Sequence, residues 1–302
     1  MFKGINITAL SQTALTNMNS GEGGSNTVDI KQYIKNNEKY PYVSGQAMRH
    51  YIKSAIRRLS DNQSCVPDNG GETCGRIAEC ELCDLFGYMT TIKGKGAVTR
   101  VSPIKVSAAM GLMKMDENSN LDLLTRKKIN DDGTSSGDIV NVELSSNIYR
   151  YGISIDIMRI GAEEIVKNDD ILNHTIEIIP RITPEEKSKR IKNVINGIRY
   201  ITDYSKQSRL LTDFTPDIVL ISLDVNYTHR LQKALELNTD KSICVERMIS
   251  ILKEMQTDGS KVLFGALPGS IANLEEVIAA VGDIGIECMF VGEAFNKAIE
   301  LV

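Results

Sequence analysis

The 302-residue sequence predicts an α+β protein with a split β-α-β core and large insertions. Three observations point there. Strand-like alternation appears near the start and again at mid-chain, one continuous apolar run lies at 216–225, and clear helical spacings fall around them.

Taken in order, residues 3–10 alternate, with Ile5 and Ile7 on one side of a strand. "YPYVSGQAMRHYIKSAIRR" (40–58) reads as a helix entered at Ser44-Gly45-Gln46. Met48, Ile52, Ala55 and Leu59 make its apolar stripe. Arg49, Lys53 and Arg57 make a neighbouring basic stripe, within about 80° at 100° per residue. "YGISIDIMRIG" (151–161) alternates through Ile153, Ile155 and Ile157. Helical spacing follows at Ile191, Val194, Ile195, Ile198 and Ile201. "PDIVLISLDV" (216–225) is apolar on both faces, as in a central strand. Two further helices are predicted from Val245, Met248, Ile249 and Leu252, and from Leu274, Val277, Ile278 and Val281.

Between these lie segments without a core pattern. Residues 61–97 are rich in Gly, Cys and turn residues, 116–138 are polar, and 161–190 are highly charged. "NMNSGEGGSN" (17–26) is a Gly-rich loop, equally compatible with phosphate cradling and with a plain surface turn.

Hydrophobic residues make up 42% and charged residues 25%, ordinary for a globular chain. No apolar run approaches the roughly 18–20 residues that span a bilayer, and the first residues lack a secretion signal's apolar core. A cytoplasmic protein without membrane contact is expected. Net charge is −4, yet its distribution is uneven. Residues 31–60 carry seven Lys or Arg against Glu38 alone, and 86–115 carry Lys93, Lys95, Arg100, Lys105 and Lys114 against no acid. Residues 211–302 reverse this, with fourteen acids and seven bases. Such asymmetry suits an anion bound on one face, or head-to-tail self-association. Aromatic residues are only 5%, with no Trp, so base stacking is thinly supplied.

Cys65, Cys74, Cys80 and Cys83 crowd into nineteen residues, with knuckle-like CxxC spacing at Cys80 and Cys83. A loop this poor in apolar groups suits a structural zinc site. Reduced thiols, or a redox pair at Cys80 and Cys83, remain open. Cys244 and Cys288 read as inert core residues. His50, His174 and His229 share no local motif. No nucleophile elbow, Walker loop, HExxH or dinucleotide fingerprint occurs. Asp29 is a lone acid that would serve RNA cleavage only with partners; a turn role is the plainer reading.

Five stretches in series, "YPYVSGQAMRHYIKSAIR", "CELCDLFGY", "TRVSPIKVSAAMGL", "YGISIDIMRIG" and "YSKQSRLLTDFTPDIVL", carry a resemblance over nearly the whole chain. It is weakest at 116–147 and 161–190. The sequence resembles the backbone subunit of type I CRISPR interference (Cascade) complexes, most closely the DevR-type subunit of subtype I-B, in the RAMP superfamily. The resemblance implies a modified ferredoxin-like, RRM-like palm at 1–60, 98–115, 148–160 and 191–302. It implies fingers at 61–97 and 116–147, and a thumb at 161–190. It implies a non-catalytic subunit that stacks head to tail along CRISPR guide RNA, beside other Cascade subunits, and presents the guide to target DNA. Asp203-Tyr204 stands where many members have glycines.

Under that resemblance the expected RNA-contacting residues are Met18, Asn19, Ser44, Gln46, Arg49, Lys53, Arg57, Lys105, Lys206, Gln207, Ser208 and Arg209. Ser44 and Gln46 would offer helix-terminal donors to a phosphate, and the cations would extend that site. Met18 or the thumb's Ile176 and Ile178 would wedge at displaced nucleotides. Two alternatives stand beside this: a RAMP-type RNA endonuclease using Asp29, and a zinc-stabilised protein-interaction module.

Overall fold

Apolar residues at alternate positions of one strand set the centre of the protein. The computed structural model describes residues 2–21, 27–60, 64–65, 73–92, 96–129, 135–170, 173–202, 204, 208–238 and 240–302. Strand β1 (Gly4–Thr16) leads through β2 (Thr27–Val28), β3 (Gln32–Lys35) and β4 (Glu38–Val43) into α1 (Gly45–Leu59). Then come α2 (Glu81–Phe86), β5 (Tyr88–Ile92), β6 (Gly96–Arg100), β7 (Ile104–Val106), β8 (Ala109–Gly111) and the single turn α3 (Met115–Asn118). Next are β9 (Ser119–Ile129), the long β10 (Ser135–Asp156), β11 (Ala162–Asp170), β12 (Asn173–Pro180) and α4 (Pro184–Arg199). The chain closes with β13 (Ile218–Asp224), α5 (Val245–Thr257), β14 (Lys261–Ala266), α6 (Leu274–Asp283), β15 (Cys288–Met289) and α7 (Val291–Glu300).

Eleven of the described strands form one sheet, ordered β15-β14-β13-β1-β10-β8-β4-β3, with β2, β7 and β9 also paired to β10. Its centre, β13-β1-β10-β8, taken with α1 after β1 and α4 before β13, is the ferredoxin-like β-α-β-β-α-β arrangement that the resemblance implied. Two further strands, β14 and β15, extend the β13 edge.

Register explains the two-faced core. Ile5 lies between Ile155 and Leu223, Ile7 between Ile153 and Ile221, and Ala9 between Tyr151 and Val219. All are buried, with Ile52 and Ile56 of α1, Val194 and Ile198 of α4 and Phe295 of α7 packed on that face. The other face places Leu10, Ile148, Leu220 and Phe264 against Met248 and Leu252 of α5 and Val277 of α6. All seven residues of β13 are buried, as its run of apolar residues predicts. Gly197 lets α1 and α4 approach closely; a Cβ there would come within 2.7 Å of Ile56 Cγ1.

Several boundaries differ from the sequence reading. The stretch 161–190 holds the β11–β12 hairpin and the first turns of α4, which starts at Pro184 with Thr183 capping it. The implied edge between thumb and palm therefore falls inside a helix. Likewise β10 runs unbroken across the expected division at 147/148. Cys244 precedes α5 and Cys288 lies in the edge strand β15; both are half-buried rather than core residues. Among the described residues, no helix is long and apolar enough to cross a membrane.

Candidate nucleic-acid interface

Tyr51, on the buried side of α1, gathers one corner of the protein. Its hydroxyl donates to the Met18 carbonyl at 2.7 Å, holding the loop after β1. Its ring meets Tyr204 edge-on at 6.3 Å, and Tyr204 in turn meets Phe214 at 5.7 Å. The segment 208–217 is tied back to β1, because Thr212 Oγ1 accepts the Ala14 amide and Asp217 accepts the Gln12 amide. The pairing of β1 with β10 shifts register between Thr13 and Thr16, just before this loop.

The α1 amino terminus lies at the same corner. Ser44 caps it by accepting the Ala47 amide, and Asn19 Oδ1 accepts the Ser44 amide at 3.0 Å. The first-turn amides of Gly45 and Gln46 receive no acceptor from the helix itself, and the helix dipole gives this end a partial positive charge. Gln46 is exposed. Ser208 and Arg209 are also exposed, and Arg209 reaches Asp122 of β9 at 3.6 Å, a pair open to solvent. Asn19, Ser44, Gln46, Ser208 and Arg209 thus stand on the three segments that Tyr51 and Tyr204 bring together. Lys206 and Gln207 lie outside the described residues, as do Lys93, Lys95, Asp203 and residues 22–26 of the Gly-rich loop.

The remaining expected contacts are engaged inside the chain. Met18 is 1% exposed, so its side chain packs in the core and offers no wedge. Ile176 and Ile178, by contrast, stand exposed on the same face of β12. Arg49, Lys53 and Arg57 do share a stripe, but that stripe faces the insertion, not solvent. Arg49 donates to the carbonyls of Phe86 (2.5 Å) and Ile104 (3.2 Å) and to Ser102 Oγ (3.2 Å), and its guanidinium lies 5.3 Å from the Phe86 ring centre. Lys53 sits 5.2 Å over the same ring, and Arg57 donates to the Cys65 carbonyl at 3.2 Å. Burial, then the charges of Arg49 and Arg57, lowers the Lys53 ammonium from its ordinary value. Sequence spacing fixed the stripe but could not show which body it faces. Lys105 is also partly spent, donating to the Ser102 carbonyl at 2.7 Å.

The four clustered cysteines come together. Sulfur separations are 3.5 Å for Cys65–Cys83 and Cys74–Cys83 and 3.7 Å for Cys65–Cys80, and all four sulfurs lie within 4.8 Å of one another. The Cys83 thiol, then the amides of Cys65 and Cys83, draws Cys80 well below the ordinary thiol range. Among the described residues this is the only group of three or more His, Cys, Asp or Glu suited to a metal. Asp29 is not part of it. The Asp29 carbonyl accepts the Gly21 amide at 2.7 Å, the backbone role of a loop residue.

One contact group was invisible in the sequence. Asp84, fully buried, pairs with Arg100 and with Arg190 and accepts the Gly161 amide at 2.9 Å. Arg100 also donates to the carbonyls of Ala162 and Arg159 at the foot of the β11–β12 hairpin. The α2 segment and the foot of the β11–β12 hairpin are thereby locked to each other and to α4. The sequence signal was an Asp set among Leu82, Cys83, Leu85 and Phe86 of a short helix.

The fold is a ferredoxin-like palm carrying inserted hairpins and a donor-rich corner. Residues 61–230, over half of the chain, match the family described as CRISPR-associated negative auto-regulator DevR/Csa2, and the chain belongs to that family. No curated protein matches the sequence. Among solved structures, a chain of a "CRISPR RNA-guided surveillance complex" superposes with a TM-score of 0.58 at 13% identity. A chain of a "CRISPR RNA-guided surveillance complex, pre-nicking" superposes with a TM-score of 0.60 at 10% identity. In both cases 99% of each chain is covered, so the whole architecture is shared.

Proposed function

We propose that this protein is the guide-RNA-binding backbone subunit of a type I CRISPR interference complex, stacking head to tail with copies of itself and beside other subunits of the complex. The observation that carries this reading is the convergence of the loop after β1, the α1 amino terminus, Tyr204 and the segment starting at Ser208 at one corner. That corner presents backbone amides, neutral donors and Arg209 rather than an aromatic platform. Such a surface grips phosphates and leaves bases open, as pairing with target DNA requires. The exposed apolar pair Ile176 and Ile178 is positioned on the hairpin that would lie over a neighbour's guide. No residue is assigned a role in bond cleavage, and the Asp29 carbonyl accepts the Gly21 amide.

The test is to express the full chain with a CRISPR array transcript and to sequence the RNA that copurifies. Guide-length RNA with evenly spaced protection supports the reading. RNA-free monomers, or metal-dependent cleavage lost in Asp29→Ala, would overturn it.

A further inference from the structure

The basic stripe of α1 ends against the cysteine cluster, and that juxtaposition has a chemical meaning. We propose that Cys65, Cys74, Cys80 and Cys83 bind one zinc ion as a tetrathiolate, with Lys53 and Arg57 of α1 as its counter-charges, fastening the insertion to the palm. This does not depend on the RNA reading.

Four observations carry it. First, the sulfur separations of 3.5–3.7 Å are far beyond a disulfide's roughly 2.05 Å, and all six cysteines are free. They approach the edge of a sulfur tetrahedron, about 3.8 Å for Zn–S bonds near 2.3 Å. Second, the Cys80 sulfur accepts the backbone amides of Cys65 and Cys83, both at 3.5 Å. Amides aimed at one sulfur stabilise a thiolate and orient it as a ligand. Third, the insertion cannot close on its own apolar content. Its described core contribution is Leu82, Leu85 and Phe86, with the cysteines themselves completing the cluster against α1. A metal crosslink supplies what burial does not. Fourth, the charges match. Binding releases the thiol protons, and four thiolates around a dication leave a net charge of −2. Lys53 sits over Phe86, which lies three residues beyond Cys83, and Arg57 is hydrogen-bonded to the Cys65 carbonyl. Arg49 lies against the same ring but is committed to the carbonyls of Phe86 and Ile104, so Lys53 and Arg57 are the two cations set against a site of charge −2.

The experiment uses the purified full chain. Metal content by mass spectrometry should give one zinc per chain, released stoichiometrically when a mercurial reagent blocks the thiols. Exchange with Co2+ should give the intense visible bands of tetrahedral thiolate coordination together with sulfur-to-cobalt charge transfer. Cys83→Ser should lose the charge-transfer intensity of one thiolate, while Cys288→Ser should not change the spectrum. Lys53→Glu should weaken zinc binding about 10–100-fold in competition with a chelator, the usual cost of disturbing groups around the ligands. A wild-type chain lacking stoichiometric metal, giving octahedral cobalt spectra, or reacting at all four thiols as fast as a free peptide would overturn the proposal. So would unchanged zinc affinity in folded Lys53→Glu as regards the counter-charges.

Discussion

The Asp84 carboxylate and the Arg190 guanidinium meet at 2.9 Å with their side chains 0% and 2% exposed. Arg190 spends its other donors on the carbonyls of Ile77 and Ala78 and on Glu186. The pair therefore links α2 and its approach to α4, while Arg100 extends the same carboxylate's reach to the β11–β12 hairpin.

Removing one partner strands the other in a medium that cannot solvate it. Asp84→Ala is expected to destabilise the protein by about 3–5 kcal/mol, measured by urea unfolding. A loss below about 1 kcal/mol would mean that water reaches the pair after all.

At Gly197 the α1–α4 contact has no room for a methyl group. Gly197→Ala gains helix propensity but presses on Ile56, and overpacking of this kind costs about 1–3 kcal/mol. Ile56→Ala should then cost less in the Gly197→Ala background than in the wild type. Strict additivity in that double-mutant cycle would refute the steric account.

Two arginines should behave in opposite ways. Arg49→Ala removes three internal hydrogen bonds and should lower stability by about 1–3 kcal/mol, while the folded protein keeps its RNA affinity. Arg209→Ala should leave stability unchanged and weaken single-stranded RNA of any sequence, reducing the salt slope by about 0.7. Filter binding across ionic strengths separates them, and a reversed pattern would return the α1 stripe to the RNA surface.

Asp217 offers a pH test. Burial, then the Asp213 charge, holds its carboxyl above the ordinary value, against the opposing Gln12 amide. The folded state therefore binds this proton more readily than the unfolded state, and the associated stability appears below the unfolded value and is lost as pH rises through the folded one. Asp217→Asn should be more stable than wild type at neutral pH, the gap closing as pH falls through the raised folded value and being gone below the unfolded value of about 4. A gap that widens on acidification would contradict the burial effect.

The palm was legible because its residues answer to one periodicity each. Ile5 and Ile7 alternate, Ile191 to Ile198 recur at helical spacing, and β13 is buried throughout and apolar at five of its seven positions. The strands of two inserted hairpins left no readable periodicity for the converse reason. Leu121, Leu123 and Ile139 on β9–β10, and Ile176 and Ile178 on β12, are exposed, so no buried face imprints alternation on these segments. Their strands are specified by pairing partners, which local pattern does not encode. The site was half legible. Ser44 and Gln46 announced a helix entrance, but whether Arg49, Lys53 and Arg57 faced ligand or protein depended on where Cys65 and Phe86 come to lie.

Strand β10 serves two bodies without a joint, since its first half pairs with β9 and its second half with β1. At about 3.4 Å per residue, the eleven residues of the β9 arm run roughly 35 Å beside β10, the same strand that enters the palm. Lengthening or trimming that arm by paired residues would alter how far it extends but not where it aims. Evolution can thus tune its reach without retuning the platform it springs from.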